Sequence, residues 1–117
     1  MADARTLLVA PDKFRGTASG TEIAEAVAAA AAASGWQAVV HPVADGGEGT
    51  LEVLGGPNRT STVTGPLGDP VEARWQLRRG RAVIEVAQAI GLDVVGGADE
   101  NDAVAASSYG VGELIAR

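Results

Sequence analysis

Cysteine is absent from this sequence of 117 residues. The absence excludes disulfides, thiolate metal ligands and cysteine nucleophiles, and it is compatible with a reducing compartment. Positive charge is also scarce, because 9 Lys and Arg residues stand against 15 Asp and Glu residues and give a formal net charge of −6. Nucleic acids and anionic membrane surfaces bind clustered positive charge, so we expect neither as a partner.

Long apolar runs are missing as well. No stretch approaches the roughly 18 apolar residues that span a bilayer, so no membrane partner is expected. The short apolar segment at residues 7–10 ends at Pro11 and lacks the basic flank and long apolar centre of a signal peptide. We therefore expect a cytoplasmic protein.

Aromatic residues make up only 3% of the sequence, whereas hydrophobic residues make up 46%. That hydrophobic content is enough for a core, but alanine and valine must fill most of it. Because each small side chain buries little apolar area, we expect only a thin margin of stability over chain entropy.

The first part of the chain has the pattern of a strand, a helix and a second strand. Residues 7–10 are typical of a strand buried on both faces. Ser19 and Glu22 have the spacing of a capping box, so a helix is predicted over about residues 21–33, with Gly35 as its C-cap. Its apolar positions at helical spacing are Ile23, Ala26, Val27, Ala30 and Ala31.

A second strand is predicted over residues 37–43. Strand, helix and strand in this order predict a parallel pair with a right-handed crossover, and ligands bind at the carboxyl ends of such strands. The loops at residues 11–17 and 45–50 are therefore expected at one edge of the sheet.

Beyond residue 60 the pattern changes to antiparallel strands. Residues 71–77 alternate strictly between apolar and polar, and residues 82–86 form another predicted strand. The sequence thus predicts an α/β fold in which a βαβ part, residues 1–60, precedes the strand-rich start of a second domain, residues 61–117.

The segment of residues 45–50 (DGGEGT) is the most informative for chemistry. Its glycines Gly46, Gly47 and Gly49 let backbone N–H groups approach an anion closely, and a following helix would add its positive end. Asp45 and Glu48 would repel a phosphate unless one of them binds Mg²⁺ or accepts a proton from an attacking hydroxyl. The combination points to phosphoryl transfer; the alternative is a tight turn with solvated carboxylates.

Lys13 and Arg15 follow the first strand and are candidate anion-binding residues, because both can hold a carboxylate or phosphate. The alternative is that they are loop charges paired with Asp12. Glu85 lies within an apolar segment, so it is either buried with a partner or directed into a cleft. Arg78, Arg79 and Arg81 are interpreted as the solvated tip of a hairpin.

Five ordered segments resemble the bacterial type I glycerate kinase family. They are residues 10–16 (APDKFRG), 42–50 (PVADGGEGT), 63–71 (VTGPLGDPV), 83–87 (VIEVA) with 91–92 (GL), and 108–115 (SYGVGELI). The resemblance covers the chain from residue 7 to its end, and DGGEGT is its most specific segment.

The resemblance implies a kinase that uses ATP and Mg²⁺ to phosphorylate D-glycerate, with 2-phosphoglycerate favoured over 3-phosphoglycerate as the product. It also implies the N-terminal part of a Rossmann-like domain for residues 1–60 and the start of a second, inserted α/β domain for residues 61–117. By position, Lys13 and Arg15 would bind substrate with support from Glu48, and Asp45 would be the base or metal ligand. Gly46, Gly47, Gly49 and Thr50 would bind phosphate.

The sequence also departs from the family pattern. Arg15 stands where many relatives have Lys, and family chains are much longer, so the resemblance implies an incomplete kinase that matches their N-terminal part. One alternative is a non-catalytic fragment that binds glycerate or phosphate. Another is a weakly folded fragment that self-associates through open sheet edges.

Overall fold

The computed structural model describes residues 5–14 and 17–117. The chain forms two compact units, Met1–Asp45 and Gly46–Arg117. One unit contains a parallel sheet and the other an antiparallel sheet, which confirms the predicted α/β class. The predicted domain limits at residues 60 and 61 remain a prediction. Across the described residues, every helix is too short or too polar to cross a membrane.

The first unit has the predicted order of strand, helix and strand. It contains β1 (Thr6–Val9), α1 (Gly20–Ala33) and β2 (Gln37–Val40). The strands are parallel, in a register that runs from Thr6 opposite Gln37 to Val9 opposite Val40. β2 ends three residues earlier than predicted. The His41 N–H still donates to the Val9 carbonyl at 2.8 Å and the Val43 N–H to the Pro11 carbonyl at 3.1 Å, but Pro11 has no N–H to donate back to the second strand.

Helix α1 begins and ends where its capping residues predict. The Ser19 hydroxyl accepts from the Glu22 N–H at 3.2 Å, and the Glu22 carboxylate accepts from the Ser19 N–H at 2.8 Å. Gly35, just beyond the C-cap Ser34, has a φ of +75°. That left-handed conformation is the usual reason for a glycine at the end of a helix.

The buried face of α1 differs from the predicted one. Ala24 and Ala31 are buried, whereas Ala26 and Ala30 are exposed. Because alanine occurs on every side of this helix, the sequence does not mark which side packs against the sheet.

The prediction that the first strand is buried on both faces is wrong. Val9 is buried, but Leu8 is 65% exposed. On the neighbouring strand, Val40 is 44% exposed. The sheet of this unit has two strands and one helix beside it, so apolar side chains that do not contact the helix stay accessible.

The second unit is built on an antiparallel meander. Its elements in chain order are α2 (Thr50–Val53), β3 (Arg59–Thr64), β4 (Pro70–Arg78), β5 (Arg81–Val83), α3 (Ala87–Ile90), two 3-10 turns (Leu92–Val95 and Ala98–Glu100) and α4 (Tyr109–Ile115). β4 lies between β3 and β5, as the alternation predicts. β5 ends at Val83, so Glu85 lies outside the strand in which it was predicted.

Small residues surround one large side chain in the core of the second unit. The core consists of Val63, Ala73, Trp75, Ala89 and Leu114. The Trp75 indole N–H donates to the Ser61 hydroxyl at 3.1 Å, which satisfies the one polar atom of that ring. A core of this composition agrees with the scarcity of aromatic residues.

Helix α4 approaches the backbone of β3 very closely. A Cβ atom on Gly110 would overlap with the Thr64 carbonyl oxygen. On the same helix, the Glu113 carboxylate accepts from the Thr64 N–H at 2.6 Å. Glycine at position 110 is therefore required for this packing.

Gly110→Ala should lower the free energy of unfolding by about 1–3 kcal/mol, because the new Cβ forces α4 away from β3. The matched control is Gly112→Ala in the same helix, where nothing lies within 4 Å of the new Cβ. That variant should be stabilised by about 0.5–1 kcal/mol, as expected for alanine in a helix. Urea unfolding of both variants measures the difference, and equal effects would contradict the close approach.

The capping box makes the start of α1 sensitive to pH. The Ser19 backbone N–H, followed by its hydroxyl, lowers the pKa of Glu22 below 4.5. A lowered pKa in the folded state means that the bond stabilises the helix at neutral pH and is lost as the pH falls through that pKa. Helicity at the start of α1 should therefore decrease as the pH falls through the lowered Glu22 pKa, and Glu22→Gln should remove this part of the pH dependence in an NMR titration. A Glu22 pKa at or above 4.5 would contradict the prediction.

Candidate functional site

Lys13 and Asp45 lie together in the first unit. Lys13 is in the segment that follows β1, and Asp45 is in the segment that follows β2. The Lys13 ammonium nitrogen is 3.9 Å from an Asp45 carboxylate oxygen, and the two side chains are 21% and 69% exposed. The Asp12 carboxylate accepts from the Lys13 backbone N–H at 2.7 Å, which orders the segment that carries the cation. A cation and a carboxylate therefore lie side by side, both accessible to a ligand.

The other charged residues predicted for the site are Arg15 and Glu48. Arg15 lies outside the described residues, so its role stays a prediction. Glu48 is exposed within the glycine loop, which we define as residues 46–50 of the second unit. An exposed carboxylate in this position is accessible to a ligand or a metal ion.

The glycine loop has a backbone that requires glycine at two positions. Gly46 and Gly49 have φ values of +94° and +91°, and a Cβ on either would have no atom within 4 Å. These glycines are therefore needed for their left-handed conformation rather than for lack of space. The open space beside them lets a ligand approach the backbone.

Thr50 closes the glycine loop from within. Its hydroxyl donates to the Gly47 carbonyl at 2.6 Å, and its backbone N–H donates to the same oxygen at 3.2 Å. Both donors of Thr50 thus hold the turn, and a phosphate would have to replace one of these bonds to be held by this residue.

The helix after the glycine loop is a single turn. α2 has four residues, Thr50–Val53. Since the helix dipole is the sum of aligned peptide dipoles, a single turn contributes little of it. Anion binding at this loop therefore depends on its backbone N–H groups rather than on a helix end.

Glu85 is a residue whose position the sequence left open. Its side chain is only 3% exposed, and one carboxylate oxygen accepts from the Leu51 backbone N–H at 2.9 Å. Of the two alternatives, burial with a partner is the one observed. Its apolar neighbours in sequence indicated burial, but nothing in the sequence indicated a partner 34 residues away.

The hairpin tip predicted from the arginines borders an open groove of about 920 Å³ in the second unit. The groove is lined by Leu54, Gln76, Arg78, Arg79, Arg81 and Val83. Arg78 is held by a bond of 3.0 Å from its guanidinium to the Gly55 carbonyl. None of the residues predicted for the site lines this groove, so its chemistry is separate from theirs.

Asp45 fits a magnesium site only as a shared ligand. Within residues 5–14 and 17–117, no three His, Asp or Glu side chains come together as a metal-binding group. Mg²⁺ is commonly bound through one or two carboxylates together with substrate phosphates and water. The exposed Asp45 carboxylate suits that mode of binding, in which phosphate oxygens and water supply the other ligands.

Comparison with known proteins places these residues in a family context. The model of the glycerate kinase family matches residues 7–117. Glycerate 2-kinase of Escherichia coli (strain K12) is 39% identical over 93% of this chain and 30% of its own length. Glycerate kinase of Bacillus subtilis (strain 168) is 40% identical over the same shares of both chains.

A solved structure agrees with these relatives. The crystal structure of a candidate glycerate kinase 2 from Salmonella typhimurium LT2 is similar with a TM-score of 0.68 and 33% identity. It matches 97% of this chain and 32% of that protein. The chain thus spans about 30% of the length of the curated relatives.

Gly49→Ala should weaken binding of inorganic phosphate to the glycine loop, because a side chain strains its left-handed backbone by about 1–2 kcal/mol. The matched control is Gly35→Ala, where φ is +75° and the space is equally open. Both variants should lose similar stability in urea unfolding, but only Gly49→Ala should change the phosphate-induced shifts of the loop amides in NMR titrations. Equal phosphate responses in the two variants would contradict a role for this loop in anion binding.

Proposed function

The chain belongs to the glycerate kinase family, and from this we propose that it provides residues for phosphoryl transfer from ATP to D-glycerate. The observation that carries the proposal is the pairing of Lys13 with Asp45, 3.9 Å apart, immediately before the glycine loop. The relative from Escherichia coli named glycerate 2-kinase supports 2-phosphoglycerate over 3-phosphoglycerate as the product.

Lys13 and Arg15 are proposed to bind the anionic groups of the substrates. D-Glycerate carries a carboxylate, and ATP transfers a phosphoryl group that is also anionic. A lysine ammonium is a compact charge that neutralises either group, and an arginine guanidinium can bind either through two parallel hydrogen bonds. The orientation of the Asp45 carboxylate beside Lys13 means that the cation is held in place before substrate arrives.

Asp45 is proposed as the base in the transfer. The glycerate hydroxyl oxygen forms a bond to the γ-phosphorus of ATP, and the bond from that phosphorus to the β,γ-bridging oxygen breaks to release ADP. The hydroxyl proton passes to the Asp45 carboxylate. A weak base suffices here, because in a loose phosphoryl-transfer transition state the attacking hydroxyl loses its proton late.

Asp45 is also proposed as a ligand of Mg²⁺, whereas Glu48 is proposed as a supporting carboxylate for substrate binding. A bound Mg²⁺ would neutralise charge on the phosphates during transfer. Lys13 competes with the metal for the same carboxylate, so its ammonium would have to move toward the substrate anion as the metal binds. As a base, Asp45 accepts a proton during the transfer, whereas as a metal ligand it stays ionised throughout. The pH dependence of kcat distinguishes these two roles.

The glycine loop is proposed to hold phosphate through its backbone. The left-handed Gly46 and Gly49 leave space beside the backbone, and Gly47 and Thr50 are tied together within the turn. Backbone N–H groups in such a turn can bind phosphate oxygens without a side chain. Thr50 keeps the turn closed through its hydroxyl bond to the Gly47 carbonyl. If that bond is replaced by one to the ligand, the same hydroxyl can donate to phosphate.

The length of the chain favours one second candidate. The chain spans about 30% of the relatives' length. In this second candidate the chain binds glycerate or phosphate but does not catalyse phosphoryl transfer by itself. Binding of D-glycerate without transfer from ATP distinguishes this candidate from the kinase.

Asp45→Asn should lower kcat for phosphoryl transfer by about 10²-fold or more, because the amide accepts no proton and is a poor magnesium ligand. The measurement is ATP-dependent phosphorylation of D-glycerate with Mg²⁺. It is made in a chain extended through any coding sequence that continues these 117 residues.

The matched control is Asp93→Asn, which changes an exposed aspartate in the 3-10 turn Leu92–Val95. This variant should keep its kcat within about twofold of the parent. A kcat of Asp45→Asn as close to the parent value as that of the control would remove Asp45 from the reaction.

A further inference from the structure

Glu85 is a charged residue that the second unit buries almost completely. Its side chain is 3% exposed and lies in the segment between β5 and α3. Removing a carboxylate from water costs several kcal/mol unless hydrogen bonds replace the lost hydration. An apolar residue of similar size would pack here at lower cost, so the carboxylate is expected to serve something other than stability.

Both carboxylate oxygens of Glu85 have hydrogen-bond donors. One oxygen accepts from the Leu51 backbone N–H at 2.9 Å. The other accepts from the Gln88 side-chain amide at 3.2 Å. The Gln88 amide oxygen in turn accepts from the Arg74 guanidinium at 3.4 Å. A chain of three hydrogen bonds thus connects a cation on β4 to the backbone of α2.

Leu51 is the residue through which this chain reaches the glycine loop. It directly follows Thr50, whose hydroxyl and N–H both bond to the Gly47 carbonyl. The Leu51 side chain is 1% exposed, so packing and the bond to Glu85 fix this residue together. The next turn is tied back to the loop by the Val53 N–H, which donates to the Gly49 carbonyl at 3.1 Å. Whatever holds Leu51 therefore sets the position of the loop.

We propose that Glu85 is a positioning residue for the glycine loop, oriented by Gln88 and Arg74. Its carboxylate holds the Leu51 N–H and so keeps residues 46–50 in the conformation that binds phosphate. It touches neither substrate nor the transferred group. The inference rests on the proposed function, because it assigns a purpose to the loop in phosphoryl transfer.

The direction of each hydrogen bond provides a specific test. In Glu85→Gln, the new amide can accept from Leu51 only by turning its own NH₂ group toward Gln88. Two donors then meet, either at the Gln88 NH₂ group or, if the Gln88 amide rotates, at the Arg74 guanidinium. Adding Gln88→Glu restores a donor and an acceptor at every link, and it places a carboxylate beside Arg74. The double variant should therefore recover what Glu85→Gln loses.

The first measurement is hydrogen exchange of backbone amides by NMR in the 117-residue chain. Glu85→Leu should speed exchange at Leu51 by about tenfold or more because it removes the acceptor, and Glu85→Gln should do the same because its new NH₂ group meets another donor. Amides of Val63 and Ala73 in the sheet are internal controls and should change less than about twofold. The double variant should return Leu51 to within about threefold of the parent. Equal acceleration at Leu51 and in the sheet, or no recovery in the double variant, would overturn the proposal.

The second measurement is the kinetics of phosphoryl transfer in the extended chain. Glu85→Gln should lower kcat by about tenfold with less than about a threefold change in KM for D-glycerate, and the double variant should recover it. An unchanged kcat alongside faster exchange at Leu51 would also overturn the positioning role. If the parent chain transfers no phosphoryl group to D-glycerate, the proposed function fails, and the exchange data still decide whether Glu85 holds the loop.

Discussion

The hydrogen bond from the Leu51 backbone to the buried Glu85 carboxylate connects the two kinds of structure in the second unit. On one side is a loop whose conformation depends on left-handed glycines at 46 and 49. On the other is a meander whose core packs small residues around Trp75. A loop rich in glycine loses much conformational entropy on ordering. The Glu85 carboxylate, oriented by Gln88 and through it by Arg74, fixes such a loop with one hydrogen bond. The space beside the loop stays open for a ligand.

Small side chains impose a second constraint on this chain. Alanine at positions 24 and 31 lets α1 lie against its sheet, and glycine at position 110 lets α4 meet the backbone of β3. Packing at this distance gives many dispersion contacts for little side-chain entropy, but it tolerates no added methyl group. The stability of the fold therefore depends on alanine and glycine at these contacts as much as on the apolar area that is buried.

The sequence predicted the elements well where a local chemical signal marks them. The ends of α1 follow from the capping box of Ser19 and Glu22, and the meander follows from strict alternation along β4. Prediction from sequence was wrong or incomplete where a contact joins residues far apart in the chain, or where neighbouring residues are of the same type. The buried face of α1 could not be identified among alanines, and β1 was expected to be covered on both faces. The partnership of Glu85 with Leu51 spans 34 residues and leaves no trace in local spacing, whereas the placement of Lys13 beside Asp45 followed from the βαβ pattern alone.

We propose that these residues take part in phosphoryl transfer from ATP to D-glycerate. The most direct measurement incubates ATP, Mg²⁺ and D-glycerate with the 117-residue chain, and in parallel with the chain extended through any coding sequence that continues it, and identifies products by phosphorus NMR. We expect 2-phosphoglycerate and ADP from the extended chain, and neither product when D-glycerate is omitted. Hydrolysis of ATP that does not depend on D-glycerate, or no phosphoglycerate from either chain, would contradict it.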